Sequence, residues 1–163
     1  MARAGESMIR VYADTSVYGG VFDAEFSRAT KLFFRRVARH ELRLVTSVLV
    51  VRELAPAPIR VRRYFARIGT SADRVRVTRA ALALRDAYVA AGIVAPASVA
   101  DALHVALATA AECPVLVIWN CRHIVNFRSI PRYNAVNRLH GHDELAIHTP
   151  LEMVSDEDDE EAV

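Results

Sequence analysis

A helix and a strand that are both apolar on nearly every side place the strongest constraint on how this chain can fold. Residues 99–112 have helical length with almost no polar face, and Pro114 separates them from the uniformly apolar segment 115–119. A helix without a polar face must be buried. A strand without one must be covered on both sides, which is the position of a central strand in a parallel sheet. The pair therefore predicts a layered α/β domain.

Short β-prone segments alternate with helical ones along the rest of the chain. The predicted strands cover 8–13, 42–46, 74–78, 115–119 and 146–148, and the predicted helices cover 26–40, 48–54, 59–68, 79–91 and 99–112. This alternation indicates an α/β three-layer sandwich with a mostly parallel central sheet and right-handed crossovers. We expect one domain over residues 8–154, an N-terminal extension at 1–7 and an acidic disordered tail at 155–163.

Charge is unevenly distributed along the sequence. The segment from Glu152 to the end holds seven acids and no base, which leaves 21 bases against 12 acids in residues 1–151. Twenty of the bases are Arg, whose guanidinium can bind two phosphate oxygens at once. Biased codon usage would give the same excess of Arg. The charge thus permits a nucleic-acid partner without requiring one.

Composition and cysteine usage exclude several other classes of protein. The apolar fraction of 53% and the charged fraction of 25% are ordinary for a globular domain. No stretch approaches the roughly 18 uncharged apolar residues of a membrane span, and residues 1–7 lack the apolar core of a signal peptide. We expect no membrane association and a cytoplasmic location. Cys113 and Cys121 lack CxxC spacing, which favours free thiols over a disulfide or a structural zinc.

Four polar residues are positioned to meet at one edge of the predicted sheet. Asp14 and Asn120 directly follow predicted strands, Glu53 lies in the helix after the second strand, and Asp101 lies in the first turn of the apolar helix. The carboxyl ends of parallel strands share an edge, where ligands bind. Two carboxylates about 4 Å apart repel by roughly 4 kcal/mol at an effective dielectric of 20, so such a cluster needs a cation. Oxygen ligands favour Mg2+ or Mn2+ over zinc.

Each of these residues also has a purely structural explanation. Asp14 can cap the following helix, and Glu53 suits a solvated helix face. Ser98 and Asp101 have the spacing of a capping box, and Asn120 suits a turn. None of the four residues would identify a metal site alone.

The four residues and the segments around them, taken in their order along the chain, resemble a known family, although no single residue does. The pieces are the opening strand followed by DTS at 14–16, SVLVVRE at 47–53, DALHVALA at 101–108 and WNCRHI at 119–124. From residue 8 to about residue 154 the sequence resembles a PIN domain of the VapC-like type. The resemblance implies a metal-dependent ribonuclease, commonly the toxin of a type II toxin-antitoxin system.

The resemblance also implies which residues form the site. It places catalytic roles on Asp14, Glu53, Asp101 and Asn120, with Asp14 and Asp101 binding the Mg2+ or Mn2+ ion. Many PIN domains have a fourth acid where this chain has Asn120. The amide lowers the cluster charge from minus four to minus three, which favours one ion over two. We expect the ion to polarise the scissile phosphate and to lower the pKa of a bound water that Glu53 orients.

Supporting residues and partners follow from the same resemblance. The hydroxyl of Thr15 or Ser16 would support the first acid, and Arg122 is the nearest candidate to hold a flanking phosphate of the RNA. A small antitoxin and a homodimer are the expected protein partners. The alternative is a non-catalytic PIN-like module that binds RNA or acts as a scaffold. Nucleotide-binding enzymes are disfavoured, because the sequence has neither GxGxxG nor a Walker A pattern.

Overall fold

Five strands and seven α-helices make up residues 8–119 and 128–154, which are the residues that the computed structural model describes. The strands are β1 (Ile9–Ala13), β2 (Leu42–Ser47), β3 (Asp73–Val75), β4 (Val115–Val117) and β5 (Ala146–His148). The helices are α1 (Thr15–Gly20), α2 (Ser27–Ala38), α3 (Val48–Leu54), α4 (Ile59–Ile68), α5 (Arg79–Ala90), α6 (Val99–Ala110) and α7 (Ser129–Leu139). The N-terminal extension and the acidic tail lie outside these residues.

All five strands pair in parallel, in the order β3-β2-β1-β4-β5. The chain starts in the middle strand, builds outward through β2 and β3, and then returns to build the other side through β4 and β5. The direction of winding therefore reverses between β1 and β4. In open α/β sheets such a reversal opens a crevice at the carboxyl ends of the two strands. The predicted α/β architecture with a parallel sheet is confirmed.

The helices pack in two groups on this sheet. Helix α1 packs against α2, α3 and α4, while α5 packs against α6 and α7. The apolar segment that constrains the fold is buried as predicted, and the buried residues of α6 are Ala102, His104, Val105, Ala106, Leu107, Ala108 and Thr109. The helix ends at Ala110, before the predicted end, and Glu112 has a φ of 57° where the chain turns toward β4.

Two predicted strands are shorter than their sequence patterns indicated. The strand predicted at 74–78 covers only Asp73–Val75, because β3 is at the sheet edge and pairs with β2 alone. The strand predicted at 115–119 ends at Val117, where pairing with the three-residue strand β5 also ends. Cys113 is a buried free thiol, as expected, and Cys121 lies outside the described residues. In the part of the chain that is described, none of the helices is long and apolar enough to span a membrane.

A close approach between α1 and Trp119 requires a glycine at position 20. A Cβ atom on Gly20 would lie 2.7 Å from Trp119 Nε1 and 2.8 Å from Thr30 Oγ1, and these two atoms form a hydrogen bond of 2.8 Å. A Cβ atom on the adjacent Gly19 would meet nothing within 4 Å.

These two glycines give a matched pair of stability predictions. Gly20→Ala should lower the free energy of unfolding by about 1–3 kcal/mol, because the methyl group overpacks this contact. Gly19→Ala should raise it by roughly 0.5–1 kcal/mol, because alanine favours the helix and the space is open. Urea unfolding of the two variants measures both effects. Equal stability of Gly20→Ala and wild type would contradict the packing described here.

Candidate metal centre

Asp14 lies at the point where the winding of the sheet reverses. Its backbone N–H donates to Val117 O at 2.9 Å, which joins the ends of β1 and β4. Its side chain is the N-cap of α1, since Oδ2 accepts from the Ser16 N–H at 3.1 Å. The other oxygen, Oδ1, lies 3.3 Å from His104 Nε2. Asp14 therefore caps the helix with one oxygen and turns the other toward His104, so its role as a cap leaves one carboxylate oxygen available to the cluster.

Glu53 reaches the same point from the last turn of α3. That helix begins at the end of β2, where Ser47 Oγ caps it by accepting the Val50 N–H at 3.2 Å. The Thr15 hydroxyl donates to Glu53 Oε1 at 2.9 Å. Thr15 thus supports Glu53 and not the first acid. The Ser16 hydroxyl accepts the Trp119 backbone N–H at 3.1 Å.

His104 completes the cluster and was missed by sequence reasoning. Its Nε2 atom is in hydrogen-bonding contact with Glu53 Oε1, and its Nδ1 atom lies 2.8 Å from the Tyr12 hydroxyl. One ligand atom each from Asp14, Glu53 and His104 lies within 4.8 Å of the other two. The sequence did hold a signal, because a histidine in the middle of a buried apolar helix must find polar partners.

Asp101 lies one helical turn before His104 on α6, and it is half-buried. Its negative charge acts on the His104 ring, although it is not among the three residues within 4.8 Å. Ser98 makes no side-chain capping bond, so the capping box that would have explained Asp101 structurally does not form. Asn120 and Arg122 lie outside the described residues.

Opposing effects set the ionisation of His104 and Glu53. Burial lowers the pKa of His104, but its hydrogen bond to Glu53 and the negative charges of Asp14, Glu53 and Asp101 outweigh burial and raise the pKa. Burial also raises the pKa of Glu53. The hydrogen bond and charge of His104, with the hydrogen bond from Thr15, outweigh it and leave the Glu53 pKa below its usual value.

The donor set fits a small divalent cation. Asp14 and Glu53 offer carboxylate oxygens, Asp101 adds negative charge nearby, and the Glu53 side chain is 31% exposed, so solvent reaches this side of the cluster. Oxygen-rich sites of this kind suit Mg2+ and Mn2+. The imidazole of His104 would suit Mn2+ as well, whether it acts as a ligand or from the surrounding shell.

Comparisons with known proteins bear on the fold. No family model matches the sequence, and no curated protein matches it. The structure is similar to a chain in the crystal structure of VapBC2 from Rickettsia felis bound to a DNA fragment from their promoter. The match has a TM-score of 0.58 and covers 86% of this chain and 98% of that chain, at 13% sequence identity. The fold is PIN-like.

Glu53 and His104 make the stability of the metal-free protein depend on pH. The lowered pKa of Glu53 means that its contribution is present above its ordinary pKa of 4.5 and is lost as pH falls through the folded value. The raised pKa of His104 means that its contribution is present below 6.5 and is lost as pH rises through the folded value. The pair therefore stabilises the fold most between pH 4.5 and pH 6.5, the ordinary pKa values of the two groups.

Glu53→Gln tests this balance. Urea unfolding in EDTA over a range of pH should show the largest advantage of wild type in the intermediate window and a smaller advantage on either side. Glu144→Gln is the control, because Glu144 pairs with Arg138 on the surface with a side chain 61% exposed. A Glu53→Gln difference that stays constant as the pH falls into the acidic range would contradict the coupling.

Proposed function

We propose that this protein is a Mg2+- or Mn2+-dependent endoribonuclease. The observation that carries the proposal is the convergence of Asp14, Glu53 and His104 within 4.8 Å at the reversal point of a PIN-like sheet, with Asp101 one turn away on α6. A purely structural cluster of acids around buried Asp14 would be costly to maintain, because ionised carboxylates in proximity repel one another. The rival proposal is a PIN-like module that binds RNA or acts as a scaffold without cleaving it.

Each residue of the site has its own role in the proposed phosphodiester hydrolysis. Asp14 and Asp101 would hold the cation together with one carboxylate oxygen of Glu53, and the ion when bound supplies a Lewis acid for the scissile phosphate and lowers the pKa of water. Glu53 is partly exposed and its pKa is low, so at neutral pH it is ionised and can orient an attacking water by accepting its hydrogen bond. Thr15 keeps this carboxylate in place through its hydroxyl. Asn120 is proposed as the fourth catalytic residue on sequence grounds alone, as is Arg122 as a phosphate contact.

Helix α4 offers a surface suited to RNA phosphates. Its sequence, IRVRRYFARI, holds four Arg and no acid. None of the four makes an ion pair with another described residue, and Arg62 donates to Ala57 O at 3.1 Å. Arg60 lies over the ring of Phe22, just beyond α1. Helix α1 lies between Asp14 and Phe22 and has six residues, or about 9 Å of helix. The basic surface therefore begins about one length of α1 away from Asp14.

The proposed partners extend the same hypothesis. The similar chain belongs to VapBC2, a two-component name that supports a small antitoxin as the partner of this chain. We therefore propose the role of a toxin in a type II toxin-antitoxin system, together with a homodimer and a cytoplasmic location.

Asp14→Asn tests the proposed nuclease directly. Asparagine is also a good helix cap, so the variant should remain folded. Its Mn2+-dependent cleavage of single-stranded RNA should fall by at least about 100-fold, the upper end of the loss seen when a mere support of a metal ligand is removed. Asp86→Asn, at an acid whose side chain is 69% exposed, should cleave like wild type.

Metal binding separates the proposal from its rival. Calorimetric titration with Mn2+ should show binding to wild type and to Asp86→Asn, and weaker binding to Asp14→Asn. Cleavage that is equal in Asp14→Asn and wild type would rule out the proposed site, and wild type that binds no Mn2+ would favour the non-catalytic module.

The role of α4 in RNA binding has its own test. In an Asp14→Asn background, which prevents cleavage, the double substitution Arg60→Ala and Arg63→Ala should weaken binding to single-stranded RNA. The slope of log affinity against log salt should become shallower by about 1.4, because two phosphate contacts are lost. Arg85→Ala is the control, since Arg85 is already paired with Asp86 at 2.9 Å. An unchanged slope in the double variant would remove α4 from the RNA-binding surface.

A further inference from the structure

A chain of hydrogen bonds runs through the core from the cap of α3 to the two clustered acids. It links Ser47, Tyr12 and His104 and ends on Glu53 and Asp14. We propose that His104 is a positioning residue: its Nε2–H donates to Glu53 and Asp14 and holds the two carboxylates at the spacing that receives a cation, while the nitrogen itself stays off the metal. This inference rests on the proposed metal-dependent function.

The hydrogen bonds at Ser47 have a defined direction. Its Oγ accepts the Val50 N–H at 3.2 Å as the cap of α3, and it lies 2.7 Å from the Tyr12 hydroxyl. Ser47 is fully buried. Among the described residues, Tyr12 is the acceptor within reach of the Ser47 hydrogen, and a buried donor left without an acceptor is costly. Ser47 therefore donates to Tyr12.

The direction of the Ser47 bond also sets the direction of the hydrogen bond between Tyr12 and the ring of His104. Because Tyr12 Oη accepts from Ser47, its own hydrogen is free to point at His104 Nδ1, 2.8 Å away. The neutral ring then accepts at Nδ1 and carries its hydrogen on Nε2. The hydrogen bond at one ring nitrogen in this way fixes the role of the other.

The other ring nitrogen of His104, Nε2, faces two carboxylate oxygens. It contacts Glu53 Oε1 directly and lies 3.3 Å from Asp14 Oδ1, and ionised carboxylates act only as acceptors. A nitrogen lone pair would face two acceptors there, whereas an N–H satisfies both. A doubly protonated ring also carries a hydrogen at Nε2, so the conclusion does not depend on the charge of the ring.

The anchoring of this chain explains why it can position the acids. Tyr12 in β1 and Ser47 at the end of β2 are both fully buried, and His104 in α6 is 1% exposed. Glu53, in contrast, extends from a seven-residue helix and is partly exposed. The partly exposed carboxylate is thus oriented by groups that are buried in the core, which is how supporting residues hold the ligands of a metal site in place.

Calorimetric titration with Mn2+ of the full chain tests the inference. His104→Leu should lower Mn2+ affinity by about 10–100-fold, the usual loss when a support of a metal ligand is removed. His104→Gln should recover most of that affinity, because its amide N–H can donate from the position of Nε2. Thr109→Val is the matched control: it is buried on the same helix but bonds to Val105 O and Asn137, and it should bind Mn2+ like wild type.

Tyr12→Phe probes the link behind the ring. Removing the hydroxyl takes away the hydrogen bond at Nδ1 that orients the ring, so Mn2+ affinity should fall in an otherwise wild-type chain. The same substitution should have a smaller effect in the His104→Gln background, which has no ring nitrogen at that position. Equal effects in both backgrounds would contradict the link, because a general loss of packing would act alike in each.

A spectroscopic measurement covers the case in which His104→Leu does not fold. Electron spin echo spectra of Mn2+ bound to wild type should show no nitrogen coordinated directly to the metal. A direct nitrogen coupling that disappears in His104→Gln would make His104 a ligand and overturn the inference. Unchanged Mn2+ affinity in a folded His104→Leu would also overturn it, while leaving the proposed function in place. Wild type that binds no Mn2+ would instead remove the proposed function itself.

Discussion

The parallel pairing of β1 with both β2 and β4 is the constraint on which the rest of the structure depends. It aligns the carboxyl ends of three strands, so that the residue after β1, Asp14, lies beside the end of β4 and close to the helix that follows β2. The hydrogen bond from the Asp14 N–H to Val117 O fixes this junction. Once it is made, Asp14 after β1 and Glu53 on the helix that follows β2 lie close together at this edge of the sheet.

The crevice places negative charge in a largely buried setting, and the surrounding residues relieve it in two ways. Nearly buried Asp14 divides its two oxygens between the cap of α1 and the cluster. Glu53 stays ionised because the hydrogen bonds and charge of its neighbours outweigh its burial. Both arrangements preserve carboxylate oxygens that a divalent cation can bind. These hydrogen bonds and charges keep carboxylate oxygens available in the cluster. They also stabilise the cluster inside the folded protein.

The pattern of apolar residues predicted the architecture well, because burial depends mainly on composition and period. Segments 48–54, 59–68 and 146–148 have the predicted bounds, and the apolar strand β4 is an interior strand between β1 and β5, as its lack of a polar face required. The incorrect predictions concern a strand length and a helix cap, which both depend on contacts that the local sequence pattern does not specify. The alternating valines at 74–78 predict a longer strand than the single neighbour of β3 supports, and the capping box at Ser98 has the right letters without the bond.

For the site, the sequence by itself determined the fold that brings strand ends together and the acids that follow those ends, because residue order fixes which groups sit at which strand. Only the tertiary structure decided which atoms meet. In the tertiary structure, the Thr15 hydroxyl bonds to Glu53. The His104 ring contacts Glu53 and Asp14. Tyr12 links that ring to Ser47. These partners lie 35 to 92 residues apart in the sequence. Their contacts depend on how α3 and α6 pack against the sheet, and no local pattern specifies that packing.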